Sequence, residues 1–257
     1  MYNLRPKNII VVGGASGIGF STAETLLHNG AESVTIASRN PNKLKIAKEK
    51  LENNKKVYTL EFDITNINSH RELIDNTREL TGAIPDGLVI SSGVNFDGSN
   101  WKGFNVSESD WDNVMNTNLK GVFFLMRNFS NYLFSNKVKG NICIVSSISA
   151  HRDLLSVYQI SKNAISGIVH AYGKYLCERG IVLNCVEPGQ IYTDMMKHLS
   201  IYTDGIKEGK RYDENSIHRL VRTDEIADII CFLMSDLGEV MSGSCILAGG
   251  GAKGIAR

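Results

Sequence analysis

The sequence predicts an α/β fold: a doubly wound, mostly parallel seven-stranded sheet flanked by helices. Three observations predict it. Seven short apolar runs rich in β-branched residues recur along the 257 residues, and near-continuous runs of that kind suit strands covered on both faces. Helical patterns separate the runs, and such alternation implies crossover connections and a parallel sheet. No linker, repeat or low-complexity segment interrupts the order, so residues 1–257 are expected to form a single domain.

The strands are expected at 8–12, 33–37, 57–61, 87–91, 141–146, 181–186 and 244–247. After the first, Phe20, Ala23, Leu26 and Leu27 make one helical stripe, with Gly30 as its stop. Asn40-Pro41 opens the second helix, with proline in the first turn. Between the fourth and fifth strands, Leu119, Val122, Phe123, Met126, Phe129 and Leu133 form a stripe, and Phe124 and Leu125 add apolar area on another side. The helix after Tyr158 is similar, with Ile165, Ile168, Val169, Tyr172, Tyr175 and Leu176. Helices this apolar need two partners. The sheet is one; the other is deep core or a second subunit, and the subunit interface is the preferred reading. The stretch 190–217, with Gly205 and Gly209 among many polar groups, is expected to be a mobile substrate lid.

Val12-Gly13-Gly14-Ala15-Ser16-Gly17-Ile18-Gly19 joins the first strand to the first helix. Glycine lets the backbone turn sharply and approach a pyrophosphate, and the helix N-terminus offers it unpaired N–H groups. Gly13, Ser16, Gly17, Ile18 and Gly19 are therefore candidate dinucleotide contacts. Dinucleotide folds place an acidic residue at the end of the second strand to hold a ribose 2′-hydroxyl. Here that strand ends Ala37-Ser38-Arg39. A guanidinium suits a 2′-phosphate, and Ser38 can add a hydrogen bond, so NADP(H) is expected over NAD(H). The alternative for Arg39 is a solvated loop residue. Asp63, at the end of the third strand, either accepts from an adenine amino group or caps the Asp63-Ile64-Thr65-Asn66 turn.

Tyr158-Gln159-Ile160-Ser161-Lys162 sets a phenol and an ammonium one helical turn apart. The stretch follows a strand ending Ser146-Ser147, at the carboxyl edge where open α/β sheets bind ligands. Alone, the Tyr–Lys pair reads as a surface contact. Together with the glycine turn, it points to chemistry.

With these pieces the sequence resembles the classical short-chain dehydrogenase/reductase (SDR) family over nearly its whole length. The matching pieces stand in the family's order. They are the glycine turn, Asp63, Asn118 within Asn116-Thr117-Asn118-Leu119-Lys120-Gly121, Ser146-Ser147, Tyr158/Lys162, Pro188-Gly189 followed by Thr193, and the closing Leu247-Ala248-Gly249-Gly250-Gly251. The resemblance implies a Rossmann-like dinucleotide fold and a division of roles. Tyr158 would exchange a proton with the carbonyl or alcohol oxygen. Lys162 would lower the phenol pKa and hold the nicotinamide ribose. Ser147 would hydrogen-bond the substrate oxygen, with Ser146 and Ser149 as lesser candidates. Asn118 would hold a water in a proton relay. Asp63 with Ile64, and Gly93, would line the adenosine and ribose. Pro188, Gly189, Ile191 and Thr193 would flank the carboxamide. A tetramer built as a dimer of dimers is also implied. The sequence departs from the family pattern at Val12, at Ser91-Ser92 before Gly93, at Leu183, at Ala248 and in a short loop before Tyr158; none of these removes a group the chemistry requires.

The expected activity is therefore an NADP(H)-dependent oxidoreductase, most simply a ketone reductase of the 3-oxoacyl-thioester type. A sugar or secondary-alcohol dehydrogenase is the neighbouring alternative. A catalytically silent NADP-binding scaffold or sensor is the alternative of another class. A formal net charge of +1 without charge runs favours neither nucleic acid nor an acidic membrane surface. The five cysteines have no C-x-x-C spacing and the six histidines no H-x-x-x-H spacing, so no metal is expected and the thiols are read as reduced packing residues of a cytoplasmic protein. The partner is expected to be a small carbonyl or alcohol substrate, its pocket walled by 95–104, 151–155 and 190–217.

Overall fold

The computed structural model describes residues 3–51, 56–95, 105–152, 156–191 and 215–254. Its strands are β1 (Asn8–Val12), β2 (Ser33–Ser38), β3 (Val57–Glu61), β4 (Gly87–Ile90), β5 (Gly140–Val145), β6 (Ile181–Pro188) and β7 (Cys245–Ala248). They form one sheet in the order β3-β2-β1-β4-β5-β6-β7. Every neighbouring pair is parallel, so the sheet is wholly rather than mostly so. Its helices are α1 (Gly17–His28), α2 (Pro41–Leu51), α3 (His70–Thr81), α4 (Glu108–Met115), α5 (Val122–Asn136), α6 (Val157–Cys177) and α7 (Thr223–Leu233).

Alternation along each strand divides the core in two. Ile9 and Val11 of β1 pack with Val34, Ile36, α1, α2 and α7 on one face. Ile10 and Val12 pack with Leu88, Ile90, α3, α5 and α6 on the other. Both faces are covered, which is why the strands read as continuous apolar runs. β1 lies between β2 and β4, so the strand order reverses there, and open sheets bind ligands above the carboxyl ends at such a point.

Local chemistry explains the element ends. The Asn40 side chain accepts from Lys43 N at 3.0 Å, and Pro41 begins α2. Ser156 caps α6, accepting from Gln159 N at 3.2 Å. β6 runs two residues beyond its expected end, through Glu187 and Pro188, because β7 pairs with it as far as Pro188 and Ala248. The helix carrying the Leu119 to Leu133 stripe begins as a π-wound turn, Asn116–Gly121, before α5. There a Cβ on Gly121 would lie 2.6 Å from the Ile64 carbonyl oxygen, so glycine lets the wide turn sit against the end of β3. Among the described residues no helix is long and apolar enough to cross a membrane.

Candidate active site

The glycine turn is a close backbone crossing. Gly13 has φ +81°, and a Cβ there would lie 2.9 Å from the Ser91 backbone. A Cβ on Gly19 would lie 2.3 Å from the Gly13 carbonyl oxygen. Ser16 is the extended N-cap of α1, but its side chain makes no capping bond, and no acidic residue occupies the first turn. The leading N–H groups of α1 are thus left to a ligand of negative charge. Gly17 starts the helix at φ +55°, and Ile18 packs against the core. Gly13 N donates to Ala37 O at 2.8 Å, which sets the turn beside the end of β2. Ser38 is half-buried there and Arg39 is exposed beyond it.

Asp63 Oδ1 accepts from Thr65 N at 2.9 Å and Thr65 Oγ1 at 2.8 Å. It braces the turn after β3, but it is not a helix N-cap: the next short helix starts at Ile67 and Asn66 precedes it. The Ile64 side chain is buried in the core, and its carbonyl accepts from the buried His70 ring at 2.8 Å.

At the carboxyl ends of β4 and β5 the expected reacting groups come together. Tyr158 and Lys162 lie in the first turns of α6, with Lys162 Nζ 5.7 Å from the Tyr158 ring centre. Lys162 is 4% exposed and donates to Val145 O at 3.1 Å. Ser147 hydrogen-bonds the Tyr158 phenol and caps its own short turn by accepting from Ser149 N at 3.1 Å. Ser146 Oγ instead donates to the Lys162 carbonyl at 3.0 Å, so its hydroxyl is committed to the α6 backbone.

Asn118 is fully buried in the π-wound turn. Its Oδ1 accepts from Val94 N at 2.8 Å, while Nδ2 donates to Val94 O at 2.8 Å and Ser161 Oγ at 3.3 Å. Ser161 Oγ in turn donates to Tyr158 O at 2.7 Å. A Cβ on Gly93 would stand 3.5 Å from both Asn118 Oδ1 and Lys162 Nζ. Its absence opens the approach to the ammonium, which among the described residues has one hydrogen-bond acceptor, the Val145 carbonyl.

Burial dominates the electrostatics. It pushes the Tyr158 phenol up, and the Ser147 hydrogen bond pulls it partly back. It pushes Lys162 down to about 8, which the nearby Cys185 opposes. Among the described groups, Ser147 pulls Tyr158 down, and desolvation disfavours the charged forms of Tyr158 and Lys162 together.

β6 delivers Pro188-Gly189 to the same edge. A Cβ on Gly189 would lie 2.9 Å from Gly249 Cα, and Ile191 is buried and bridged to Val221. Thr193 lies outside the described residues, as do 96–104, 153–155 and 192–214, which hold most of the expected substrate walls and lid. Ser161 and the buried Glu187 went unrecognised in the sequence. Glu187 had a signal: a lone acid inside an apolar strand, one residue before Pro188-Gly189.

All five cysteines are free. Burial pushes the Cys143 and Cys231 thiols up to about 12 and Cys185 well up, as expected of inert packing thiols. Cys185, Glu187 and Cys245 bring a ligand atom each within 4.8 Å of one another, a grouping the sequence did not suggest. The Glu187 oxygens are already taken by Ser166 at 2.5 Å and His151 at 2.7 Å.

Comparison with known proteins agrees with this geometry. Residues 7–202 match the family model described as short chain dehydrogenase. A 3-oxoacyl-[acyl-carrier-protein] reductase of Thermotoga maritima is 30% identical over 255 residues, covering 96% of this chain and 98% of that protein. An L-rhamnose 1-dehydrogenase (NADP(+)) of Thermoplasma acidophilum is 27% identical, covering 98% of each. The crystal structure of a short-chain type dehydrogenase/reductase from Mycobacterium marinum superposes with a TM-score of 0.86 over 96% of both chains, at 23% identity.

Proposed function

Since this chain belongs to the short-chain dehydrogenase/reductase family of oxidoreductases, we propose that it is an NADP(H)-dependent carbonyl reductase acting on a small ketone. The observation that carries the reading is the meeting of Ser147, Tyr158 and the buried Lys162 beside the gap left by Gly93.

NADP(H), when bound, would supply or accept the hydride. The α1 N-terminus and the 13–19 turn would hold its pyrophosphate, Ser38 and Arg39 its 2′-phosphate, and Asp63 with the Ile64 backbone its adenine. Gly93 and Lys162 would hold the nicotinamide ribose, and Pro188, Gly189, Ile191 and Thr193 would flank the carboxamide. Arg39 favours NADP(H) over NAD(H), because a guanidinium pairs with a phosphate and repels nothing on it.

In reduction, Tyr158 donates its proton to the substrate oxygen, and Ser147 donates a second hydrogen bond as negative charge develops there. Burial keeps Tyr158 protonated at neutral pH, which suits a proton donor. Lys162, near half-protonated at about 8, can pass a proton inward. The Asn118 side chain bonds Val94 and Ser161, which fixes it in the π-wound turn where the proposed relay water would sit.

The 3-oxoacyl reductase relative makes a 3-oxoacyl thioester the first substrate to test, and the rhamnose dehydrogenase relative supports the second reading, sugar oxidation. The proposed protein is a single dinucleotide-binding domain, cytoplasmic, and a dimer of dimers. Phe123 meets Phe124 and Tyr172 edge-on along α5 and α6, with Tyr172 39% and Tyr175 48% exposed, as an unpaired subunit face would be. Leu237, Val240 and Leu247, near the β7 edge, offer a second such face. The test is NADPH consumption against 3-oxoacyl thioesters, keto-sugars and steroid-like ketones, and the reverse reaction with sugars. Tight NADPH binding without turnover on any of them would support the scaffold alternative.

A further inference from the structure

Glu187 is 0% exposed near the end of β6, on a strand face whose preceding members are the apolar Leu183 and Cys185. A carboxylate is a costly choice there, since desolvation is repaid only by good partners. Among the described residues it has two hydrogen-bond partners. Ser166 Oγ donates to Oε1 at 2.5 Å, and His151 Nε2 lies 2.7 Å from Oε2. Each belongs to a different part of the site. Ser166 stands one turn after Lys162 on α6, and its hydroxyl also lies 3.2 Å from the Lys162 carbonyl, which accepts from Ser146 as well. His151 ends the short turn 148–151 that Ser147 caps. Glu187 itself directly precedes Pro188-Gly189.

We infer that Glu187 is a positioning residue: its carboxylate fastens the serine turn and the Tyr–Lys helix to the end of β6, and so sets where the Pro188-Gly189 turn stands relative to Tyr158. The inference rests on the proposed reading in one respect, that this turn flanks the nicotinamide. It explains why an apolar strand position carries an acid. It also predicts that losing the acid harms placement of the nicotinamide rather than the fold. Methionine at 187 would strand no partner. Ser166 keeps the Lys162 carbonyl, and the His151 side chain, 29% exposed, can turn to water.

The test measures the affinity of E187M and E187Q for NADPH and for 2′-phospho-ADP-ribose, which lacks the nicotinamide, alongside thermal melting and NADPH turnover. E187M should melt at or above the wild-type temperature. It should bind NADPH about fivefold or more weakly while holding 2′-phospho-ADP-ribose within about twofold. E187Q, whose amide can still bridge Ser166 and a neutral His151, should restore NADPH affinity to within about twofold of wild type. Turnover should follow NADPH affinity across the series. E187V, smaller and well suited to a strand, is read in the same way if the methionine does not fit. Wild-type binding of both ligands, with the apolar variants losing both equally or neither, overturns the inference alone. Wild-type protein that binds neither ligand overturns the cofactor reading and this inference with it.

Discussion

Lys162 holds its ammonium nitrogen 5.7 Å from the centre of the Tyr158 ring and 3.1 Å from the Val145 carbonyl oxygen. The two groups are pushed in opposite directions by one cause. Burial raises the phenol and lowers the ammonium to about 8, so each is driven toward its neutral form.

Tyr158→Phe keeps the ring and removes the acid. NADPH binding, followed by fluorescence titration, should survive, while kcat falls by about 10² or more. Near-normal turnover in the folded variant would reduce the Tyr158–Lys162 pair to a structural contact. Ser147→Ala removes a hydrogen bond that pulls Tyr158 down. The phenol pKa should rise further, and the alkaline limb of the pH–rate profile for reduction should move to higher pH in whatever activity remains.

The Lys162 shift has a thermodynamic sign. Its pKa falls from 10.5 to about 8 on folding, so the folded state resists the charge that the unfolded chain accepts. The penalty is absent above 10.5, grows as pH falls toward 8, and is complete below 8. Lys162→Met, which removes it, should stabilise the protein at pH ~7 by on the order of 3 kcal/mol, less the lost Val145 hydrogen bond. The gain should shrink steadily between the two pKa values. Thermal melts of both proteins across that range measure it, and a gain independent of pH would contradict the assignment.

The Gly19 position gives a test of the turn alone. An added Cβ would lie 2.3 Å from a backbone oxygen, which no side-chain rearrangement relieves. Gly19→Ala should therefore cost about 1–3 kcal/mol of stability and weaken NADPH binding. Urea unfolding together with cofactor titration would show both, and an unchanged pair would mean the turn has another shape.

Legibility differed by kind of residue. The central strands are legible because both faces of the sheet are covered there, so their runs are mostly apolar. Ends were less so. The extension of β6 through Glu187 and Pro188 depends on pairing with β7, more than 50 residues away in sequence, which no local pattern carries. α3 escaped notice because its buried set includes His70 and Thr77 beside Leu73 and Ile74, so its apolar stripe is thin. Tyr158 and Lys162 were visible because their spacing is local. Ser146 and Ser147 are alike in the sequence, and the hydrogen bond of Ser146 to the Lys162 carbonyl that sets them apart lies across the fold. The π-wound turn at Asn118 is not legible locally, since the close approach of Gly121 to the Ile64 carbonyl joins it to another part of the chain.

The proposed preference for NADP(H) rests on Arg39. It is exposed just past the end of β2, where a carboxylate would otherwise meet a ribose hydroxyl. Arg39→Ala should weaken NADPH by roughly 1.5–3 kcal/mol, the scale of hydrogen bonds to a charged group, and leave NADH nearly unchanged. Equal affinities of the wild-type protein for the two cofactors would remove the NADP(H) preference while leaving the active site untouched.

Assembly is tested on α5 and α6. Their inner faces are buried against the sheet through Leu125, Phe129, Ile165 and Val169. Their outer faces keep aromatic surface: Phe123 meets Phe124 at 5.4 Å and Tyr172 at 5.9 Å, and Arg179 lies 3.8 Å over the Tyr175 ring. A monomer gains nothing from this arrangement, because exposed aromatic surface forfeits its burial energy. A two-fold pairing of the helices would bury it against itself, as isologous interfaces do. Sedimentation at micromolar concentration should then show no stable monomer. Tyr172→Glu with Tyr175→Glu should dissociate the pair, because like charges would face one another across the axis, and the inner core would be left intact. The wild-type protein sedimenting as a monomer would contradict the interface outright. Dissociation by the two glutamates with NADPH binding retained would place the interface on these helices and show that each subunit carries its own cofactor site.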